Sequence, residues 1–147
     1  MAEKTDHSPV VVRNIPDMKL AQTVTVGGHR IQADEPLTHG GNATGASPHD
    51  LLLAALGTCT AMTLRLYAEH KKWDIGNTTV VLTIHWEKRD GHDEKMPAIE
   101  RLIECDKPLT AEQQARLVEL ADKCPVHRTL MAEKTINTRL TAPYPHL

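Results

Sequence analysis

A chain of 147 residues with a net charge of −2, its charges of both signs spread along its length, is sized for a single domain and has no basic run of the kind that nucleic acid or a membrane surface requires. Three cysteines are too few for a disulfide scaffold, no stretch approaches the ~18 consecutive apolar residues of a membrane span, and the polar stretch from Met1 to Pro9 lacks the apolar centre of a secretory signal. The expectation is a cytoplasmic protein with reduced thiols, no membrane and no nucleic-acid partner, and an aliphatic core, because Phe is absent and Trp73, Trp86, Tyr67 and Tyr144 are the only aromatics.

Residues 1–18 read as an N-terminal tail and residues 19–147 as one domain. Lys19–Val26 and Arg30–Asp34 flank Gly27-Gly28-His29, a hairpin signal because glycine tolerates positive φ. Pro36–Ser47, with Gly40, Gly41 and Gly45, reads as a loop long enough to serve a site or an interface. Ser47-Pro48 opens a helix: serine caps free N–H groups, and proline at the first position loses no bond the helix would make. Helix formers continue to about Lys71. The first half, Leu51 to Met62, is apolar all round and predicts a helix inside the protein. Thr78–Lys88 alternates as a strand, with Val80, Leu82, Ile84 and Trp86 on one face. Ala98–Cys105 predicts a second strand after the turn at Asp90-Gly91. Thr110-Ala-Glu-Gln113 is a capping box opening a helix to about Lys123, which Cys124-Pro125 breaks. Thr135–Leu140 predicts a last short strand. The order ββ–α–ββ–α–β is an α+β domain with antiparallel sheet around a long buried central helix.

Free cysteine is among the most buried residue types, so Cys59 on its apolar helix and Cys105 in its strand read, taken alone, as inert core. Cys124 is different. It follows a helix and has His127 and Arg128 close by, which favours a thiolate, while the C-terminal end of a helix opposes one. Reactive thiol and structural cap both remain open. Nine histidines raise the question of metal, but no pair lies at i, i+4 on one helix, there is no Cys-x-x-Cys, and a turn separates His85 from His92. Gly40 to Gly45 opens a helix as phosphate loops do, yet lacks the Gly-Lys-Ser/Thr ending. Neither a metal nor a cofactor is expected. Ser47-Pro-His49-Asp50 holds triad-type residues in a row, and adjacent positions do not converge on one site.

The stretch Ser47-Pro-His-Asp-Leu-Leu-Leu-Ala-Ala-Leu-Gly-Thr-Cys59 resembles the central-helix signature of the OsmC/Ohr family. Cys124-Pro-Val-His-Arg-Thr-Leu is similar to its second-cysteine motif, and Asp34-Glu-Pro, Gly40-Gly41 and Leu66-Tyr67-Ala68 are similar too. The likeness runs from about Val24 to Leu140. It implies an intertwined homodimer with sheets wrapped around central helices, and a peroxidase acting on organic hydroperoxides. It further implies that Cys59 is the peroxidatic nucleophile and Cys124 the resolving thiol, with a dithiol reductant, lipoyl-type among the options, closing the cycle. An ordinary thiol is only a few per cent ionised at neutral pH, so such a nucleophile needs a nearby cation. Peroxidase members place a glutamate directly after the helix-opening proline, where this chain has His49 and then Asp50, so Asp50 is assigned that role. They also supply an arginine from upstream. Arg30 is the nearest candidate, with Arg13, His39 and Arg128 as other options. The alternative function is a non-catalytic OsmC-like protein that binds a small apolar or electrophilic ligand.

Overall fold

The turn at Gly27-Gly28 is made by two glycines in left-handed backbone, at φ 53° and φ 80°, the geometry of a tight hairpin whose twist matches its strands. The computed structural model describes residues 7–142. They run β1 (Val11–Asn14), β2 (Gln22–Val26), β3 (His29–Ala33), α1 (Pro48–Lys71), β4 (Thr78–Glu87), β5 (Met96–Cys105), α2 (Ala111–Ala121) and α3 (Pro125–Met131). This is the expected α+β class with a long central helix, although the order is βββ–α–ββ–α–α and not the ββ–α–ββ–α–β of the sequence pattern. The chain divides into two compact units, one of residues up to Thr58 with Val80–Leu102, the other of Cys59–Thr79 with the residues from Ile103 onward.

In the first unit β1, β2 and β3 form an antiparallel sheet, with Val26 paired to His29 across the glycine turn and Val24 to Ile31. β1 pairs with β2 from Val11–Thr25 to Asn14–Gln22. It lies in the stretch taken as a tail. Four mostly exposed residues offer no alternation to read, and only the free edge of β2 makes them a strand. The start of α1 buries Leu53 and Leu56. A Cβ built on Gly57 would come 2.7 Å from Leu82 Cδ1, so glycine lets the helix settle close to β4. The β4 face carrying Val80, Leu82 and Ile84 is the more sheltered one, as its alternation predicts.

The second unit packs Leu64, Ala68, Ile75, Leu117 and Leu120 into one buried cluster, with Tyr67, Trp73, Ile103, Cys105 and Leu109 around it. α2 opens with the predicted capping box, Thr110 Oγ1 accepting from Gln113 N while Gln113 Oε1 accepts from Thr110 N. The Arg116 Nε–H donates to the Tyr67 hydroxyl at 3.0 Å, tying α2 to α1. Two expectations need correction here. α2 ends at Ala121, and Pro125 opens α3 instead of merely ending a helix, because proline suits a first helical position. Residues 135–140 form no strand. Ile136 and Leu140 are exposed, and no strand among the described residues pairs with them, so the alternation has no sheet to join.

The first half of α1 is apolar all round but is not enclosed by its own chain. Leu53, Leu56, Gly57, Thr60, Leu64 and Ala68 make a buried stripe at helical spacing. Leu52, Ala55, Met62 and Leu66 make a second, outward stripe with Cys59 at its centre; Met62 is 66% exposed and Leu66 68%. The helix is long and apolar enough to cross a membrane, yet Leu64 and Ala68 belong to the core cluster.

Candidate thiol site

Cys59 sits in the middle of α1, half-buried, a free thiol on the outward apolar stripe. The next residue, Thr60, is fully enclosed, and its Oγ1 lies 3.9 Å from the Sγ of Cys124. Cys124 is itself 0% exposed. The fold therefore brings the second-cysteine motif against the turn of α1 that carries Cys59, across 64 positions of sequence.

Cys124 is not at the end of a helix, contrary to the sequence expectation. α2 has already stopped, and Cys124 is the N-cap of α3, with φ −62° and ψ 144°. Its Sγ accepts the backbone N–H of His127 at 3.3 Å. The helix end beside the sulfur is thus the one whose free N–H groups favour negative charge. His127 Nδ1 lies 3.8 Å from Asp122 Oδ1. Pro125 assists by opening α3 immediately after the sulfur.

Asp50 is placed in the first turn of α1 and completes a capping box with Ser47. Ser47 N and Oγ donate to Asp50 Oδ2 at 3.0 and 2.7 Å, while Ser47 Oγ accepts from Asp50 N at 3.2 Å. These bonds, the hydroxyl first, hold the Asp50 carboxyl below the usual aspartate range. His49, which stands where peroxidase members have glutamate, sets its ring edge-on to Trp86 of β4, centroids 5.4 Å apart. Arg30 is exposed on β3, opposite Thr25. Cys105 is half-buried beside the core cluster, 4.0 Å from Thr78 Oγ1.

The loop before α1 is organised by Asp34, which is almost fully buried. Its carboxylate accepts from Glu35 N, Asn42 N, Thr44 N and the Thr44 hydroxyl, the last at 2.7 Å. A Cβ on Gly41 would overlap the Glu35 carbonyl, which explains a glycine there. The Thr44 hydroxyl leads the bonds that hold the Asp34 carboxyl below the ordinary value of 3.8, against the opposing effect of burial. A carboxyl depressed in the folded state stabilises above the unfolded value and loses that contribution as pH falls through the folded one. Asp34→Asn should melt several degrees lower than wild type at neutral pH, and the gap should shrink as pH falls below 3.8. Melting curves from pH 7 to pH 3 check this; a constant gap would mean the charge on Asp34 is irrelevant.

Thr60 was not singled out from the sequence. The signal was present: it is the one hydroxyl in the stripe Leu53, Leu56, Thr60, Leu64, Ala68.

The family model of OsmC-like proteins matches residues 40–139. Among solved structures, a Psychrobacter arcticus protein assigned to the osmotic stress and detoxification response superposes with a TM-score of 0.71 at 21% identity, over 88% of this chain and 91% of that one. An OsmC-like protein of Mycoplasma pneumoniae gives 0.69 at 23% identity, over 88% and 89%. The organic hydroperoxide resistance protein OhrB of Bacillus subtilis gives 0.60 at 19%, over 84% and 90%. No curated protein matches the sequence. At these identities the structures establish the fold, and the family model, spanning most of the chain, establishes that the protein belongs to the OsmC-like family.

Proposed function

We propose that the protein is a thiol-dependent peroxidase that reduces organic hydroperoxides in oxidative-stress defence, with Cys59 as peroxidatic nucleophile and Cys124 as resolving thiol. One observation carries this reading: a half-buried thiol on an outward apolar stripe stands next to a residue that touches a second, enclosed thiol. An apolar stripe suits the alkyl part of such a substrate. The Cys59 thiolate attacks the terminal peroxide oxygen, forming an S–O bond as the O–O bond breaks, and the departing alkoxide takes a proton to leave as alcohol. Cys124 then converts the sulfenic acid to a disulfide before a second peroxide over-oxidises it. A dithiol reductant, lipoyl-type being one class, restores both thiols. The chemistry uses the protein's own sulfur and no cofactor, and the site of action we propose is the cytoplasm.

Arg30 is the proposed cation that favours the Cys59 thiolate, and Asp50 the proposed carboxylate that holds that cation. Nine helix positions separate Asp50 from Cys59, about 13 Å of rise and roughly half a turn around the axis. The two do not meet on one helix. The carboxylate serving each Cys59 is therefore the partner subunit's Asp50, which makes an intertwined homodimer part of the proposal. The exposed Met62 and Leu66 flanking Cys59 on the outward stripe support it, since a contiguous apolar face calls for a covering surface.

Cumene hydroperoxide with a dithiol such as dihydrolipoamide tests the reading. Steady consumption is expected, and one equivalent without reductant should link Cys59 to Cys124 while Cys105 stays open to alkylation after denaturation. Peptide mapping under non-reducing conditions identifies the bond. A Cys59–Cys105 linkage would assign the resolving role to the wrong thiol, and three free thiols after excess peroxide would favour a ligand-binding protein instead.

A further inference from the structure

The buried stripe of α1 is aliphatic or glycine at Leu53, Leu56, Gly57, Leu64 and Ala68, and is interrupted by a single hydroxyl, that of Thr60. Thr60 Oγ1 and Cys124 Sγ, both fully enclosed, lie 3.9 Å apart, a contact of the weak kind that thiols make. The same sulfur accepts the His127 N–H at 3.3 Å. Cys124 is thus held between a backbone donor of its own helix and a hydroxyl of α1. That hydroxyl comes from the residue immediately after Cys59.

We infer that Thr60 is a positioning residue for the resolving step, its hydroxyl holding the Cys124 sulfur at the turn of α1 where the disulfide must form. The inference rests on the peroxidase reading for its purpose. In that step the Cys124 sulfur attacks the sulfur of the Cys59 sulfenic acid. The S–S bond forms as the S–O bond breaks, and the leaving hydroxide departs as water with the proton that Cys124 gives up. The sulfenic sulfur is reduced and Cys124 is oxidised by the same electron pair. Closure competes with a second peroxide, which would take Cys59 to the sulfinic acid. A sulfur that spends more time in place wins that competition more often. Thr60 touches neither peroxide nor the reacting oxygen and acts only through Cys124.

The full-length chain and its Thr60→Val, Thr60→Ala and Thr60→Ser variants provide the test. Each is oxidised with cumene hydroperoxide, quenched at intervals with acid, alkylated, and its Cys59–Cys124 disulfide and Cys59 sulfinic acid are quantified by mass spectrometry. Thr60→Val keeps the shape and removes the hydroxyl; closure should slow roughly two- to threefold, the low end of what one hydrogen bond contributes, with a matching rise in sulfinic acid. Thr60→Ala, a second hydroxyl-free variant should the first fail to fold, should behave alike, and Thr60→Ser should restore closure to near the wild-type rate. Wild-type closure in a folded hydroxyl-free variant overturns the inference. So does a Thr60→Ser protein as slow as Thr60→Val, because the methyl group would then be what matters. A parallel series with diamide, which links two thiols with no peroxide or sulfenic acid, should give the same ranking. If hydroperoxide leaves wild type untouched, the peroxidase reading falls, and the diamide series still decides for or against Thr60.

Discussion

Cys59→Ser should lower hydroperoxide consumption on the order of a thousandfold or more, to the background of the reagents, because removing a nucleophile that acts as a unit with its surroundings removes nearly all of the catalysis. Serine keeps the size of the side chain but is far less ionised and far less reactive toward an O–O bond. The outward stripe stays apolar, so folding and assembly should be preserved, which circular dichroism and sedimentation can confirm. Cys124→Ser should behave differently. Its Cys59 can still react once, giving a burst of about one equivalent, and then stalls as sulfenic and sulfinic acid. The contrast is expected because Cys59 is half-buried on the outward face whereas Cys124 is fully enclosed. A Cys59→Ser protein that consumes peroxide at the wild-type rate would end the peroxidase reading.

Leu66→Lys should dissociate the proposed dimer and silence it at the same time. Leu66 is 68% exposed in the single chain and lies two helical turns beyond Cys59 on the outward stripe, about 10 Å along the axis, too far to touch the reacting sulfur. A lysine there would meet the covering surface as an unpaired charge. Loss of a central apolar anchor costs about 2 kcal/mol, and the dissociation constant should rise at least ~30-fold. Because the proposed carboxylate belongs to the other subunit, activity should fall with the dimer and recover as protein concentration rises. Sedimentation velocity at several concentrations, paired with turnover at each, reads both. A wild-type protein that is monomeric at low micromolar concentration, or a monomeric Leu66→Lys protein with full activity, would remove the shared site.

How much of this was legible beforehand follows from how far each signal reaches along the chain. Ser47-Pro48 and Thr110 to Gln113 announce helix starts because a cap involves residues within one turn, and both helices begin there. The glycine pair marks the hairpin because the turn's positive φ values are a local demand. The two cysteine motifs stood out only through their resemblance to the OsmC/Ohr signatures, since from its own neighbours Cys59 reads as inert core and Cys124 as either thiol or cap. Asp50 was read for chemistry, whereas its three-residue spacing from Ser47 was also the mark of the capping box it forms.

Local pattern by itself thus determined the α+β class and the bounds of α1 to within a residue. Tertiary structure decided the rest, since each remaining feature needs a partner that the local window does not contain. β1 exists because β2 offers it an edge, and residues 135–140 have no such edge among the described strands. α1 carries apolar residues on two sides, and only packing decides that Leu64 and Ala68 face the core while Met62, Leu66 and half of Cys59 do not. Cys124 caps α3 because the chain turns one residue before Pro125, and it meets Thr60 across 64 positions. Side-chain periodicity specifies which residues share a face; which element that face meets is settled by the free energy of burying it, a property of the whole fold.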